Sequence, residues 1–129
     1  MAIRFVHKGN FEKTTNFLTK AQRLDIRNIL NEYGRRGVEE LSKATPVDTG
    51  KTAEAWSYSI KMTNKGWAIY WENSSENQGI PIVVLIQYGH GTGTGGYVPP
   101  LDFINPTMNP IFDEITREID QKLKGGGVL

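Results

Sequence analysis

The chain has 129 residues, 38% of them hydrophobic and 22% charged, which suits one globular domain with a packed core and excludes a disordered polymer. Fifteen basic and fourteen acidic residues leave a formal charge of +1, so no overall field attracts the molecule to nucleic acid or membranes. The absence of cysteine excludes disulfides, thiol nucleophiles and cysteine-based metal sites.

We expect a single domain over residues 1–129, with flexible ends at 1–9 and 124–129. The first residues lack the continuous apolar stretch of a signal peptide, and no later run approaches the ~20 apolar residues that span a bilayer. The sequence therefore predicts a soluble chain that is not exported.

The first predicted helical region covers Asn10–Ala44, and Asn10 is a suitable cap for a short first segment. A longer helix is predicted over Arg23–Lys43, where apolar residues recur at three- and four-residue spacings and form one stripe that should face the core. The stripe consists of Ile26, Ile29, Leu30, Tyr33, Val38 and Leu41. Gly34 and Gly37 lie beside it, and either close packing against another element or simple tolerance would explain them.

The long helix should end at Pro46 and the turn Asp48-Thr49-Gly50, because the residue before proline leaves the α region and glycine permits a reversal. Alternation follows: Trp56, Tyr58, Ile60 and Met62 are separated by polar residues, and Trp67, Ile69 and Trp71 continue the pattern after a turn. This alternation predicts a β-hairpin. The polar segment 74–79 is predicted to be an exposed loop.

Residues 80–88 are apolar enough to be buried, but nine residues do not distinguish a strand from a helix by periodicity. Pro81 in a first helical turn and Gly89 as a terminator slightly favour a short helix. The glycine-rich stretch 89–96 is predicted to be a mobile surface loop that leads to Pro99 and Pro100.

The last helix is predicted to have Asn105 as its cap and Pro106 in its first turn. Its apolar face consists of Met108, Ile111, Phe112, Ile115, Ile119 and Leu123. The glycines at 125–127 should end it. The predicted architecture is α+β: a small antiparallel sheet built on the hairpin, packed by the long helix of the N-terminal half and by the C-terminal amphipathic helix.

Asp48-Thr49-Gly50 is also the tripeptide of aspartic proteases, in which two such carboxylates share one proton and activate a water. One copy per chain would require a homodimer, and here the tripeptide follows a helix and a proline where the protease has an apolar strand. We therefore interpret Asp48 or Thr49 as a hydrogen-bonding residue of a turn or cap. A dimeric aspartic-type protease that uses Asp48 is the enzymatic alternative.

Gly91–Gly96 satisfies the pattern G-x-G-x-x-G of dinucleotide sites. However, no helix can begin at the following Tyr97–Pro100, and no lysine completes a phosphate-binding loop, so we predict a flexible contact loop and no cofactor. His7 and His90 have no second histidine or carboxylate at a ligand-like spacing, so no metal is predicted.

Two further features have a plain and a functional interpretation. Arg35 and Arg36 could contact DNA phosphates if the subunit lined a channel, but a solvated helix face is the simpler interpretation. Trp56, Trp67 and Trp71 lie at hairpin positions, which favours a role in the core or in a subunit interface over base stacking or sugar binding.

Three short motifs, in order, resemble a family of phage minor structural proteins that are called neck, head-tail joining or tail-completion proteins. They are Ala44–Gly50 at the end of a helix, Gln87–Thr92 after a hairpin, and Pro100–Pro106 before the last helix. The resemblance covers roughly residues 20–123. Two positions depart from the commonest form: 51–53, where leucine and arginine often follow the turn, and Gln87, where an acidic residue is frequent. An inter-subunit ion pair at Gln87 therefore cannot be carried over.

The resemblance implies a virion structural protein that joins head and tail or completes the tail of a long-tailed bacteriophage, without catalysis, metal or cofactor. It implies a homo-oligomeric ring in the neck or upper tail, beside other phage neck and tail proteins and near channel DNA, with no membrane or small-molecule substrate. Before assembly the chain would lie in the host cytoplasm. A generic protein-interaction module, which is not a virion structural protein, is the alternative function.

The candidate structural or interface residues belong to the three motifs: Pro46, Asp48, Thr49, Gly50, Gln87, Tyr88, Gly89, His90, Gly91, Thr92, Phe103 and Pro106. We further expect residues 74–79 and 89–99 to stay adaptable until neighbouring subunits order them. Ordering costs about 1 to 2 kcal/mol per residue, which a large interface can offset.

Overall fold

The structure of the chain, a computed structural model, describes residues 2–6, 20–46, 50–63, 66–91 and 94–127. In chain order its elements are β1 (Ala2–Val6), α1 (Lys20–Ala44), α2 (Gly50–Glu54), β2 (Trp56–Thr63), β3 (Gly66–Asn73), β4 (Glu76–Asn77), β5 (Ile80–Pro81), α3 (Ile82–Tyr88), β6 (His90–Gly91), β7 (Tyr97–Val98) and α4 (Ile104–Gly127). These elements confirm the predicted α+β class, with a small antiparallel sheet, a long helix and a C-terminal helix.

The main sheet has three antiparallel strands in the order β1-β3-β2. The predicted hairpin is present, because β2 and β3 pair from Trp56↔Asn73 to Thr63↔Gly66. On the other side of β3, β1 pairs from Ala2↔Glu72 to Val6↔Ala68. The expectation of a flexible end is therefore wrong for residues 2–6, which are held by the backbone hydrogen bonds of a strand pair. Residues 7–9 and the segment predicted to be capped by Asn10 lie outside the described residues.

Helix α1 lies directly against the sheet at its two glycines. A Cβ atom on Gly37 would be 2.3 Å from Trp71 Nε1, and a Cβ atom on Gly34 would be 2.3 Å from Tyr58 Cδ2. Because no side chain intervenes, the Trp71 indole Nε1 reaches and donates to the Gly34 carbonyl oxygen at 2.9 Å. Close packing, and not tolerance, therefore explains both glycines.

The core lies between the sheet, α1 and α4, and α1 packs against the other two. Its buried apolar residues are Ile26, Ile29, Leu30, Tyr33 and Leu41 of α1, Trp56, Trp67, Ala68, Ile69 and Trp71 of the hairpin, Val83 of α3, and Phe103, Ile104, Met108, Ile111, Ile115 and Ile119 at the C-terminal end. The predicted stripe of α1 is thus buried, except that Val38 is only partly so. The three tryptophans belong to the core, which is one of the two roles expected for them.

Polar contacts join α1 to α4 at the rim of this core. Arg36 forms an ion pair with Glu114 at 2.7 Å, and its guanidinium lies 5.1 Å from the centroid of the Tyr33 ring. The Tyr33 hydroxyl donates a hydrogen bond to a Glu118 carboxylate oxygen. Burial, and next this hydrogen bond, raise the pKa of Tyr33 to about 12. Arg36 therefore joins α1 to α4, and the two interpretations of Arg35 and Arg36 both stay predictions.

Two segments are more regular than expected. Residues 80–88, which the sequence left open between strand and helix, divide into β5 and the short helix α3. The polar segment 74–79 is part of a small hairpin, because β4 pairs with β5 across a turn at Gln78 and Gly79, whose φ angles are 53° and 79°. Both turn residues are exposed, as predicted.

Helix α4 differs from the prediction at both ends. It begins at Ile104, so the predicted cap Asn105 lies inside its first turn. At the other end it continues through Gly127, where residues 124–129 had been expected to form a flexible end. Glycine raises the cost of helical backbone by about 1 kcal/mol relative to alanine but does not forbid it. None of the described helices has the length and apolar character needed to cross a bilayer.

Candidate assembly surface

Gln87 joins the second motif to the third. Its side chain, in the last turn of α3, is 9% exposed. Nε2 donates to Asp102 Oδ1 at 2.7 Å, and Oε1 accepts the backbone N–H groups of Phe103 at 3.3 Å and Ile104 at 3.4 Å. The first N–H groups of a helix have no partner within that helix, so an outside acceptor satisfies them. Gln87 therefore fixes the start of α4 against the end of α3.

Asp102 caps α4 in place of the predicted Asn105. Its Oδ1 accepts the Asn105 backbone N–H at 3.1 Å, and its Oδ2 accepts the Asn105 side-chain amide at 3.2 Å. The hydrogen bond from Gln87, followed by that from the Asn105 backbone, lowers the pKa of the Asp102 carboxyl. Pro106 lies exposed in the first turn, where its missing N–H costs nothing.

The second and third motifs also pack closely at Gly89 and Pro100, in addition to the Gln87–Asp102 hydrogen bond. Gly89 has a φ of 77°, and a Cβ atom there would be 2.7 Å from the Val98 carbonyl oxygen and 2.8 Å from the Pro100 nitrogen. The Leu101 N–H donates to the Ile86 carbonyl oxygen at 2.9 Å. Strands β6 and β7 pair beside this contact, so the glycine-rich loop is closed at its base. Its mobility stays a prediction.

Large apolar side chains remain exposed where these segments meet. Tyr88 and Tyr97 are each 65% exposed, Leu101 is 53% exposed and Val98 is 41% exposed. We call these four residues the aromatic corner. Contiguous exposed apolar residues mark interaction sites, and tyrosine is enriched in the cores of protein interfaces. These exposed side chains beside the hydrogen-bonded Gln87 make the aromatic corner a candidate contact surface.

His90 and Gly91 of the second motif contact residues that are near them in the chain. His90 Nδ1 lies 3.3 Å from the Leu85 carbonyl oxygen, within hydrogen-bond distance. Gly91 belongs to β6, and Thr92 lies outside the described residues. The helix that a dinucleotide site needs does not follow Gly91–Gly96, because the next element is the short strand β7.

The first motif forms a separate corner. Thr45 is buried, and its Oγ1 donates to the Leu41 carbonyl oxygen at 2.5 Å and accepts the Trp56 indole N–H at 2.9 Å. Pro46 is partly buried beside it, and Gly50 begins α2. Asp48 and Thr49 lie outside the described residues, so their role in a turn or cap stays a prediction.

Hydrogen bonds connect α2 to α3 through Ser75. The Ser75 Oγ lies 3.0 Å from Thr52 Oγ1, and the Ser75 carbonyl oxygen accepts the Ile82 N–H at 3.0 Å. Asn73 completes this region, because its Nδ2 donates to the Thr52 carbonyl oxygen at 2.8 Å and its Oδ1 accepts the Ser75 N–H at 2.9 Å. Through Ser75 these hydrogen bonds link α2, which begins at the end of the first motif, to α3, which ends in the second motif.

Four polar residues of these corners were not singled out from the sequence: Thr45, Thr52, Asn73 and Asp102. The capping role of Asp102 could have been predicted from the sequence, because an aspartate three residues before a helical N–H is a common capping arrangement. Among the described residues, no group of three or more His, Asp or Glu side chains is placed to hold a metal ion.

No protein-family model matches the sequence, and neither a curated protein nor a solved structure matches it. The likeness to phage neck and tail-completion proteins consequently rests on the three motifs alone.

Proposed function

We propose that this chain is a structural subunit of a long-tailed bacteriophage that acts, without catalysis, in head-tail joining or tail completion. One observation carries the proposal: two of the three family-like motifs meet at a corner whose base is buried and hydrogen-bonded and whose tyrosines are exposed. Such a corner is suited to contact with a partner protein, and contacts of this kind are what a joining subunit makes.

The physical basis is the contrast between the fixed base and the exposed side chains. Gln87 and Asp102 hold the backbone next to Tyr88 and Leu101 by hydrogen bonds, so ordering these two residues costs less conformational entropy when a partner binds. The few side chains that dominate an interface are enriched in tyrosine, cluster near its centre and cost about 2 kcal/mol or more each when truncated to alanine. Tyr88 and Tyr97 are the side chains we assign to that role.

In this proposal the subunit forms a homo-oligomeric ring in the neck or upper tail, beside other neck and tail proteins. It assembles from the host cytoplasm and uses no small-molecule substrate or cofactor. Any proximity to DNA in the channel is non-specific, and binding there is weak because the formal charge of +1 supplies no strong attraction to phosphate.

Deletion of the gene from the phage or prophage that encodes it tests the proposal, with electron microscopy of the lysate as the readout. We expect filled heads and unattached or unfinished tails. Wild-type protein and Asp48→Ala should both restore complete particles, whereas Tyr88→Ser/Tyr97→Ser should not. Ile80→Ser is the matched control, since Ile80 is an exposed apolar residue outside the aromatic corner.

Normal particles without the gene would contradict the proposal. Failure of Asp48→Ala, together with peptide cleavage by the wild-type protein, would instead favour the aspartic-type protease. A double tyrosine variant that melts like wild type but restores particles would show that the aromatic corner is not the contact.

A further inference from the structure

Strand β2 is an edge of the main sheet. Its inner side pairs with β3, and no other described strand pairs with its outer side. It has eight residues and no proline, so its outer N–H and C=O groups can form a regular ladder with an added strand.

The core is also incompletely closed along this edge. Residues of β3 that face α1 are fully buried: Trp67 is 2% exposed, and Ile69 and Trp71 are 0% exposed. Their cross-strand partners on β2, Met62, Ile60 and Tyr58, are only partly buried, although Trp56 at the start of β2 is buried. These three β2 side chains at the free edge are thus more exposed than their partners on β3. Such a difference is typical of a strand that has no neighbour on its outer side.

Two open depressions lie between α1 and β2 on this side. One depression of ≈ 580 Å³ is lined by Lys20, Arg23, Leu24, Arg27 and Met62. A second of ≈ 430 Å³ is lined by Arg35, Val38, Glu39, Trp56, Ser57 and Tyr58. Between them the Tyr58 hydroxyl donates to Asn31 Oδ1 at 3.1 Å. We call the two depressions together the α1–β2 groove.

The wall that α1 contributes to this groove is cationic. Lys20, Arg23, Arg27 and Arg35 are all exposed along it, and Glu39 is the one carboxylate among the lining residues. The floor beside the first three cations is apolar, since Leu24 is 58% exposed next to Met62. A bound segment that matches this surface carries both apolar and acidic side chains.

We propose that the α1–β2 groove binds an extended acidic segment of a different protein chain, which adds as a strand to the outer edge of β2. Its apolar side chains cover Leu24 and Met62, and its carboxylates pair with the cations of α1. A second copy of this chain fits poorly, because β2 contributes Lys61 and no carboxylate. This inference does not rest on the proposed phage function.

Fluorescence anisotropy with labelled eight-residue peptides tests the inference. The probe alternates valine with glutamate, the first control alternates valine with lysine, and the second is the glutamate peptide with alternate backbone nitrogens methylated. We expect the glutamate peptide to bind at least roughly tenfold more tightly than the lysine peptide, because the groove wall is cationic. Methylation should abolish binding, because it removes the N–H donors of the added strand.

Two variants and a hydrogen-exchange measurement, which locates the bound peptide, complete the test. Arg27→Glu should weaken binding of the glutamate peptide about tenfold, whereas Arg117→Glu, an exposed arginine of α4 outside the groove, should leave it unchanged. Hydrogen exchange should show new protection of β2 amides when the peptide is bound.

Equal binding of the two charged peptides, equal effects of the two variants, binding without protection of β2, or no binding at all would each overturn the inference. Concentration-dependent protection of β2 in the protein alone would assign the edge to a second copy and overturn it as well.

Discussion

Gln87 is a buried polar side chain, and both the nitrogen and the oxygen of its amide form hydrogen bonds. Burial of an amide is unfavourable unless hydrogen bonds replace those to water. Here Nε2 is bound by Asp102, and Oε1 is shared by two N–H groups of α4. An apolar residue of similar size would pack equally well but would leave those three groups without this partner. The residue type is therefore set by hydrogen bonding and not by volume.

Replacement of Gln87 by leucine should lower the free energy of unfolding by about 1–3 kcal/mol, because the N–H groups of Phe103 and Ile104 lose their acceptor. Urea denaturation measures this loss. Gln121→Leu, on the exposed face of α4, is the control and should change stability by less than about 0.5 kcal/mol. A Gln87→Leu protein as stable as that control would show that the contact does not hold the corner.

Tyr33 should make the protein sensitive to alkali. Its pKa in the folded protein is about 12, above the ordinary value of 10.0. The folded state therefore retains a proton that the unfolded chain loses, and the stability contributed by neutral Tyr33 is complete below about pH 10 and lost as pH rises to about 12.

Denaturation curves between about pH 9 and about pH 12 test this expectation. Tyr33→Phe should lose stability less steeply over that interval, whereas Tyr97→Phe, which removes an exposed phenol, should follow the wild type. Parallel slopes for all three proteins would mean that Tyr33 is not the alkaline-sensitive group.

Elements with a strong local period were predicted well. The three- and four-residue spacing of α1, the alternation of β2 and β3 and the apolar face of α4 each identified the correct element, because each exposes one side to the core. Strand β1 was missed, since its five residues are held by a partner more than sixty residues away and carry no local signal. For residues 80–88 a short helix was only slightly favoured, because a short and mostly apolar run has no clear period.

Gly37→Ala should destabilise the protein although alanine favours helices. The added methyl would overlap the Trp71 indole, which is fully buried and hydrogen-bonded to Gly34 and therefore cannot move away freely. Overpacking costs about 1–3 kcal/mol, which exceeds the gain in helix propensity of up to about 1 kcal/mol. Thermal unfolding measures the balance. Arg35→Ala, an exposed change in the same helix, should be nearly neutral, and a stabilised Gly37→Ala would refute the close contact.

At the scale of the whole molecule, the motifs identified only part of the aromatic corner. Tyr88 was singled out from the sequence and Leu101 lies within the third motif, but Tyr97 and Val98 lie outside the motifs. The contact between the two motifs through Gln87 and Asp102 depends on how α3 and α4 pack. The α1–β2 groove could not be predicted, because alternation does not reveal which strand of a sheet is the edge. The role of Asp48 remains a prediction.

The aromatic corner and the α1–β2 groove share no residue. One subunit could therefore contact two neighbours at once, through an apolar surface and through a cationic edge. That is the minimum a joining subunit requires, since it must hold a copy of itself or one partner while it binds another. The two surfaces can be disabled independently by Tyr88→Ser/Tyr97→Ser and by Arg27→Glu.

Cryo-electron microscopy of complete particles and of assembly intermediates, with mass spectrometry of the same samples, tests the proposed role most directly. We predict a ring of this chain at the junction of head and tail, with Tyr88 and Tyr97 covered by a neighbouring protein. Absence of the chain from particles and intermediates alike, or a position away from the head-tail junction and upper tail, would contradict it.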